Sequence, residues 1–178
     1  AAHCLISEAG VDPNVACPAT GVTPLLLAAE TGHTAVLRTL IDGGAHVNQR
    51  DSEGVTPVLA AAHFGRADAV HALLTAGALY EAIEVELPSA SGLRPVFAAA
   101  QSGHTAVAKL LLQADAAPNP TYDDWEADEA ANFNGHQDLA LLLGETVVKD
   151  KPDLLLEQLA QMADGAHGME GAEGQEEE

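Results

Sequence analysis

Eight histidines are the residues of this chain most able to hold a metal or carry a proton, and His33, His104 and His136 each follow a glycine. Zinc-type ligation needs three or four donors converging at about 2 Å. These three histidines fall at matching positions of a repeated pattern, so stacking the repeats sets them in a row one unit apart, too far to share an ion. Their expected role is to bond between neighbouring loops. The paired carboxylates Asp123-Asp124 and Asp128-Glu129 could serve general acid–base chemistry, but only inside a pocket that shifts their pKa values and cradles a substrate. No H-E-x-x-H, C-x-x-C, G-x-S-x-G or G-x-x-x-x-G-K-[ST] occurs. Cys4 and Cys17 have neither metal nor redox spacing and read as free thiols in a reducing compartment. The chemistry expected is therefore that of a surface: no catalytic residue, no cofactor and no metal.

The elements that carry these residues are written in a repeat. Gly21-Val22-Thr23-Pro24-Leu25-Leu26-Leu27-Ala28-Ala29-Glu30-Thr31-Gly32-His33 returns as Thr56-Pro57-Val58-Leu59-Ala60-Ala61-Ala62-His63-Phe64-Gly65, and again as Arg94-Pro95-Val96-Phe97-Ala98-Ala99-Ala100-Gln101-Ser102-Gly103-His104. The glycines at 32, 65, 103 and 135 are separated by 33, 38 and 32 residues, so one unit carries about five extra. Thr23 and Thr56 are placed to cap a helix whose first residue is proline, where a missing N–H costs nothing. Each glycine supplies the left-handed residue that ends that helix. A second helix follows, with apolar positions at Val36, Leu37, Leu40 and Ile41, at Val70, Leu73 and Leu74, and at Val107, Leu110, Leu111 and Leu112. Gly44-Ala45 and Gly77-Ala78 are expected to close it.

Composition agrees with stacked helices. The 178 residues suffice for four to five such units, and aromatics are only 3% of the chain, so the core must be built from small aliphatic side chains. A net charge of −20, from 7 basic and 27 acidic residues, disfavours nucleic acid and anionic membranes and favours a basic partner. No apolar run is long enough to span a bilayer. The expected location is intracellular, cytoplasmic by default. The chain opens in half a repeat with no secretory-type segment, which leads us to expect further residues upstream.

Taken in order, residues 1–14 read as a partial first unit, 15–48 and 49–80 as regular units, 81–119 as an enlarged one and 120–144 as a cap. In the enlarged unit the alternation from Ile83 to Leu87 has a strand period and predicts an extended, hairpin-like finger, from which Glu84 and Glu86 project. Asp115 stands where the earlier units have glycine, and aspartate tolerates the left-handed region. In the last unit Glu126-Ala127-Asp128-Glu129 replaces the Thr-Pro start, as suits a terminal unit with a polar outer face. Residues 145–163 are assigned to a C-terminal helix whose Leu155, Leu159 and Met162 share a face. It docks on the last unit or on a partner. Residues 164–178 are Gly, Ala and acid without Lys or Arg, a composition expected to be disordered.

On these residues the chain resembles the ankyrin-repeat family over about 4–144, with Thr-Pro, Ala-Ala, Gly-His, a Leu-Leu pair, Gly-Ala and Asn recurring in order. The resemblance implies an all-α solenoid of helix–turn–helix units with turn extensions. One departure is systematic: the family's T-P-L-H histidine is Leu26, Leu59 and Phe97 here, so packing must replace its hydrogen bonds. The family binds its partners against the turn tips and the exposed ends of the first helices. Carried onto this chain, the candidate partner-binding residues are His63, Phe64, Tyr122, Asp123, Asp124, Trp125, Phe133 and Asn134, with Glu84 and Glu86 from the finger. Acids around aromatics would select a basic segment of another protein. The expected role is a protein-interaction module, as adaptor or subunit of an assembly. Its alternatives are an escort chaperone for a basic client such as a ribosomal protein or histone, or the targeting module of a larger enzyme.

Overall fold

The computed structural model describes residues 12–79, 85–118 and 120–150, of which 78–79 and 146–150 are placed by backbone only. Helices come in pairs: α1 (Pro24–Thr31) with α2 (Thr34–Asp42), α3 (Pro57–His63) with α4 (Ala67–Leu79), and α5 (Pro95–Gln101) with α6 (Thr105–Gln113). A two-residue hairpin of β1 (Thr121–Tyr122) and β2 (Trp125–Glu126) then leads into α7 (Ala127–Phe133) and α8 (Gln137–Asp150).

The first helix of each pair starts where the sequence places it. Thr23 and Thr56 are extended, and their Oγ1 atoms accept from the Leu26 and Leu59 N–H groups at 3.2 Å. Arg94 makes no such bond, and at the fourth start the Glu129 carboxylate reaches back to the Glu126 N–H at 3.1 Å. Every first helix ends alike. The N–H after the glycine returns to the carbonyl five residues back, His33 to Ala28, Arg66 to Ala61, His104 to Ala99 and His136 to Ala131, all at 2.8–2.9 Å. Asp115 takes φ 61°, the left-handed role assigned to it.

The first helices form one row, α1 on α3 on α5 on α7, while α2, α4 and α6 pack successively behind them. Alanine makes the row possible: Ala28, Ala29, Ala60–Ala62, Ala98–Ala100, Ala127, Ala130 and Ala131 are buried, which lets neighbouring backbones approach closely. Between the rows lie Leu37, Leu73, Val70, Val107, Leu111, Leu139 and Leu143. Leu26, Leu59 and Phe97, at 3%, 2% and 2% exposure, have exchanged a hydrogen-bonding histidine for apolar burial of about 2 kcal/mol each.

Successive turns are joined through their backbones: Ser52 N donates to Thr20 O at 2.9 Å and Ala90 N to Glu53 O at 2.7 Å. Only a residue without Cβ permits that contact. At Gly54, φ 75°, an added Cβ would stand 2.8 Å from Ala90 N. Each turn is held from within as well, Asp51 Oδ1 accepting from the Glu53 and Val55 N–H groups at 2.9 and 2.8 Å.

Three expectations give way. Gly77-Ala78 does not close its helix, because α4 runs on to Leu79. Gly144 likewise lies inside α8, which crosses the 144/145 boundary between cap and C-terminal helix and continues to Asp150. A helical glycine costs only about 1 kcal/mol against alanine, and good helix formers flank both. The third is the finger. Val85 and Glu86 form a turn, and Glu86 accepts from Arg94 Nη1 at 3.0 Å and from the Ala117 N–H at 2.8 Å, so its carboxylate ties two loops together instead of projecting. Residues 80–84, 151–163 and the acidic run lie outside the described residues. The sheet that is described stands at 121–126, in the cap.

The caps provide a direct stability test. Thr56 is 1% exposed, so Thr56→Val keeps the packing and leaves the Leu59 N–H buried without its acceptor. A loss of about 1–2 kcal/mol is expected, read from the urea midpoint. An unmoved midpoint would show that the cap contributes nothing.

Candidate partner-binding face

The first helices and the turns before them enclose two depressions on one face. The larger, about 590 Å³, has Leu26 and Leu59 in its floor, Phe64 and Leu93 on its walls, and Glu30, Asp51 and Glu53 around it. Phe64 is 45% exposed and meets the His63 ring edge-on, centroids 5.0 Å apart. The His63 carbonyl is engaged across units: His104 Nε2 lies 3.2 Å from it, as Arg66 Nε donates to Glu30 O at 3.0 Å one unit earlier. This is the loop-to-loop bonding expected of His104. His33 differs, pairing with Thr31 Oγ1 of its own loop at 2.6 Å.

The smaller depression, about 240 Å³, is lined by Phe97, Gln101, Tyr122, Trp125 and Phe133 among others. Tyr122 is half-buried and leans on Phe97, centroids 5.3 Å apart, so one face of its ring serves the core. Trp125 and Phe133 meet edge-on at 5.2 Å and stay 43% and 76% exposed. Asn134 also lines this site, and its Nδ2 donates to Ala130 O at 2.8 Å, which finishes α7. Asp124 borders a third hollow beside Trp125 and Phe133.

Between the two strands the chain turns on Asp123 and Asp124 alone, at φ 51° and 65°. Two successive left-handed residues make the tightest hairpin turn, for which Asn-Gly is the favoured pair. Aspartate there is strained and leaves two carboxylates at the tip, both exposed.

Of the residues singled out from sequence, His63 and Phe64 meet in one depression, and Tyr122, Asp123, Trp125, Phe133 and Asn134 meet in the other, with Asp124 adjoining. Glu86 is placed elsewhere, and Glu84 lies outside the described residues. Asp51 was not anticipated as part of the rim. Its signal was the turn sequence Asp51-Ser52-Glu53-Gly54, in which an aspartate at the start accepts from the backbone N–H two residues on and so folds the turn.

Among the described residues no cluster of three or more His, Cys, Asp or Glu is placed to hold a metal, and no helix is long and apolar enough to cross a membrane. The Cys17 thiol is exposed; hydrogen bonds from the Thr20 side chain and then from the Ala19 and Thr20 backbone hold it below its ordinary pKa.

A family model for ankyrin repeats in three copies matches residues 1–86, and one for a single ankyrin repeat matches residues 91–124. No curated protein matches the chain. Those two matches span more than half of the sequence and the paired helices repeat through them, with α7 and α8 continuing the stack beyond. The chain belongs to the ankyrin-repeat family, whose repeats are protein–protein interaction modules.

Proposed function

We propose that this chain binds a basic, extended segment of another protein along the face formed by its first helices and turns, as an adaptor or subunit without catalysis of its own. The observation that supports this most is the combination of exposed aromatics with acids around apolar depressions. Phe64 and Leu93 stand among Glu30, Asp51 and Glu53, and Trp125 and Phe133 stand beside Asp123 and Asp124. Aromatic anchors contribute affinity through desolvation, while the acids speed encounter with a cationic chain and reject anionic ones. Nucleic acid and membrane insertion fit this surface poorly, and a reducing, intracellular setting suits a chain without a disulfide framework.

Selection from a displayed library of random peptides tests the reading. The selected peptides should be rich in Lys and Arg, lose affinity as salt rises, and bind Phe64→Ala more weakly. Peptides with no basic enrichment, or with full affinity for Phe64→Ala, would refute it.

The six acids of residues 164–178, without Lys or Arg, favour a second reading, an escort for a strongly basic client. Deleting 164–178 should leave the melting temperature unchanged in either case. For an escort it should also weaken binding of histone or ribosomal-protein peptides and flatten the salt dependence. Equal affinity before and after deletion would leave the adaptor role standing.

A further inference from the structure

Two residues before the glycine that ends each first helix, the earlier units carry Glu30, His63 and Gln101, whereas the last carries Phe133. A second change accompanies it. At the position of Leu26, Leu59 and Phe97 the last unit has Glu129, whose carboxylate turns back to the Glu126 N–H, so Ala130 lines the cleft there in place of a large apolar side chain. The hairpin supplies the other wall. Tyr122 and Trp125 are cross-strand partners and therefore share one of its faces. Tyr122 meets Phe97 and Trp125 meets Phe133, which places four rings around a cleft of about 240 Å³.

Polar groups stand beside the rings. Asp123, Gln101 and Asn134 also line the cleft, and none of its lining residues is Lys or Arg. Asn134 uses its Nδ2 on the Ala130 carbonyl, which leaves Oδ1 as the end it can offer a ligand. The Asp123 carboxylate is exposed. Arg94, at the start of α5, is held by Glu86 at 3.0 Å. Rings that meet edge-on keep faces uncovered, and the negative face of an aromatic ring attracts a cation within about 6 Å of its centre. Ring faces flanked by oxygen acceptors are complementary to a planar cation with several donors.

We infer that this cleft is an arginine site: the guanidinium of an arginine in the bound segment lies on Trp125 and Phe133, while its N–H groups reach Asp123 and the amide oxygens of Gln101 and Asn134. Such a site rests on the basic-partner reading of this face and names the cation that the partner brings to it. Lysine fits less well. Its compact ammonium holds water more strongly and cannot stack as a plane. A trimethylated ammonium would cover the rings but bring no donor to the three acceptors.

Trp125 is the single tryptophan of the chain, so its emission reports on this cleft. Hexaarginine and hexalysine, equal in charge, are titrated into the full 178-residue chain and into Phe133→Leu, with Kd read from Trp125 emission and from calorimetry. Phe133 is 76% exposed, so leucine there removes a ring face with little effect on the melting temperature. Hexaarginine should shift the emission and bind the parent about 5-fold more tightly than hexalysine, and Phe133→Leu should bring the two peptides to within about 2-fold. Trp125→Leu, followed by calorimetry alone, is a second variant with the same expected effect. Equal affinities for the parent, an emission that hexaarginine leaves unmoved, or an arginine preference that survives both variants would each overturn the arginine site and leave the basic partner standing. Failure of both peptides to bind at low salt would overturn the two together.

Discussion

Gly65→Val should be among the most damaging single substitutions in this chain, lowering stability by about 2–4 kcal/mol. Two costs combine. Gly65 sits at φ 68°, where a β-branched residue is strained by about 1–3 kcal/mol. Its added Cβ would also stand 2.5 Å from Cε1 and Nδ1 of His104, forcing the imidazole away from the His63 carbonyl that it bonds. Losing that bond adds about 1 kcal/mol. Gly44→Val provides the control. Gly44 has φ 88°, but nothing lies within 4 Å of the Cβ position, so strain alone acts there. Thermal melts of the two variants should therefore separate, with Gly65→Val lower by several degrees. Equal shifts would mean that the His104 contact contributes nothing and that strain is the whole effect.

That contact also shows why the fold was readable from sequence. The Gly-His pair, the Thr-Pro start and the Ala-Ala middle each satisfy a local requirement that recurs every 33 residues or so: a left-handed ending, a capped beginning, a close helix–helix approach. Repetition let one unit check another. Where a feature occurs once, sequence reasoning failed. Alternation from Ile83 to Leu87 has the period of a strand, yet Glu86 is turned to Arg94 and the Ala117 N–H, contacts with partners 8 and 31 residues away that periodicity cannot reveal. Gly77 and Gly144 look like helix ends because Gly44 is one, but a glycine ends a helix only if the following backbone can return to the last turn.

The candidate site divides along the same line. Phe64, Trp125 and Phe133 stood out because the repeat does not require them, and all three are substantially exposed. Tyr122 reads identically in sequence, although Phe97 takes one face of its ring. The Asp123-Asp124 turn escaped notice because its geometry normally calls for Asn-Gly; two aspartates between Tyr122 and Trp125 carry no hairpin signal in their residue types. A stability-driven sequence would have the relaxed pair, so the broken local rule agrees with the partner-binding role proposed for this turn.

This turn allows binding and folding to be separated in the cap. Trp125→Ala should weaken the selected basic peptide by about 2 kcal/mol, roughly 30-fold in Kd, because a half-exposed indole beside Phe133 is desolvated only when a partner arrives. Its effect on the melting temperature should be small, the ring being 43% exposed before binding. Replacing Asp123-Asp124 with Asn-Gly should act in the opposite sense on the two measurements. The turn relaxes, so the melting temperature holds or rises by a degree or two, while two carboxylates vanish from the rim. Association should then slow and its salt sensitivity fall, with little change in dissociation. Stopped-flow association and calorimetry on the same proteins resolve both. A folded Trp125→Ala that binds like the parent would move the interface to Phe64 and the earlier turns. An Asn-Gly variant that melts lower would show that the aspartates hold the hairpin rather than serve a partner.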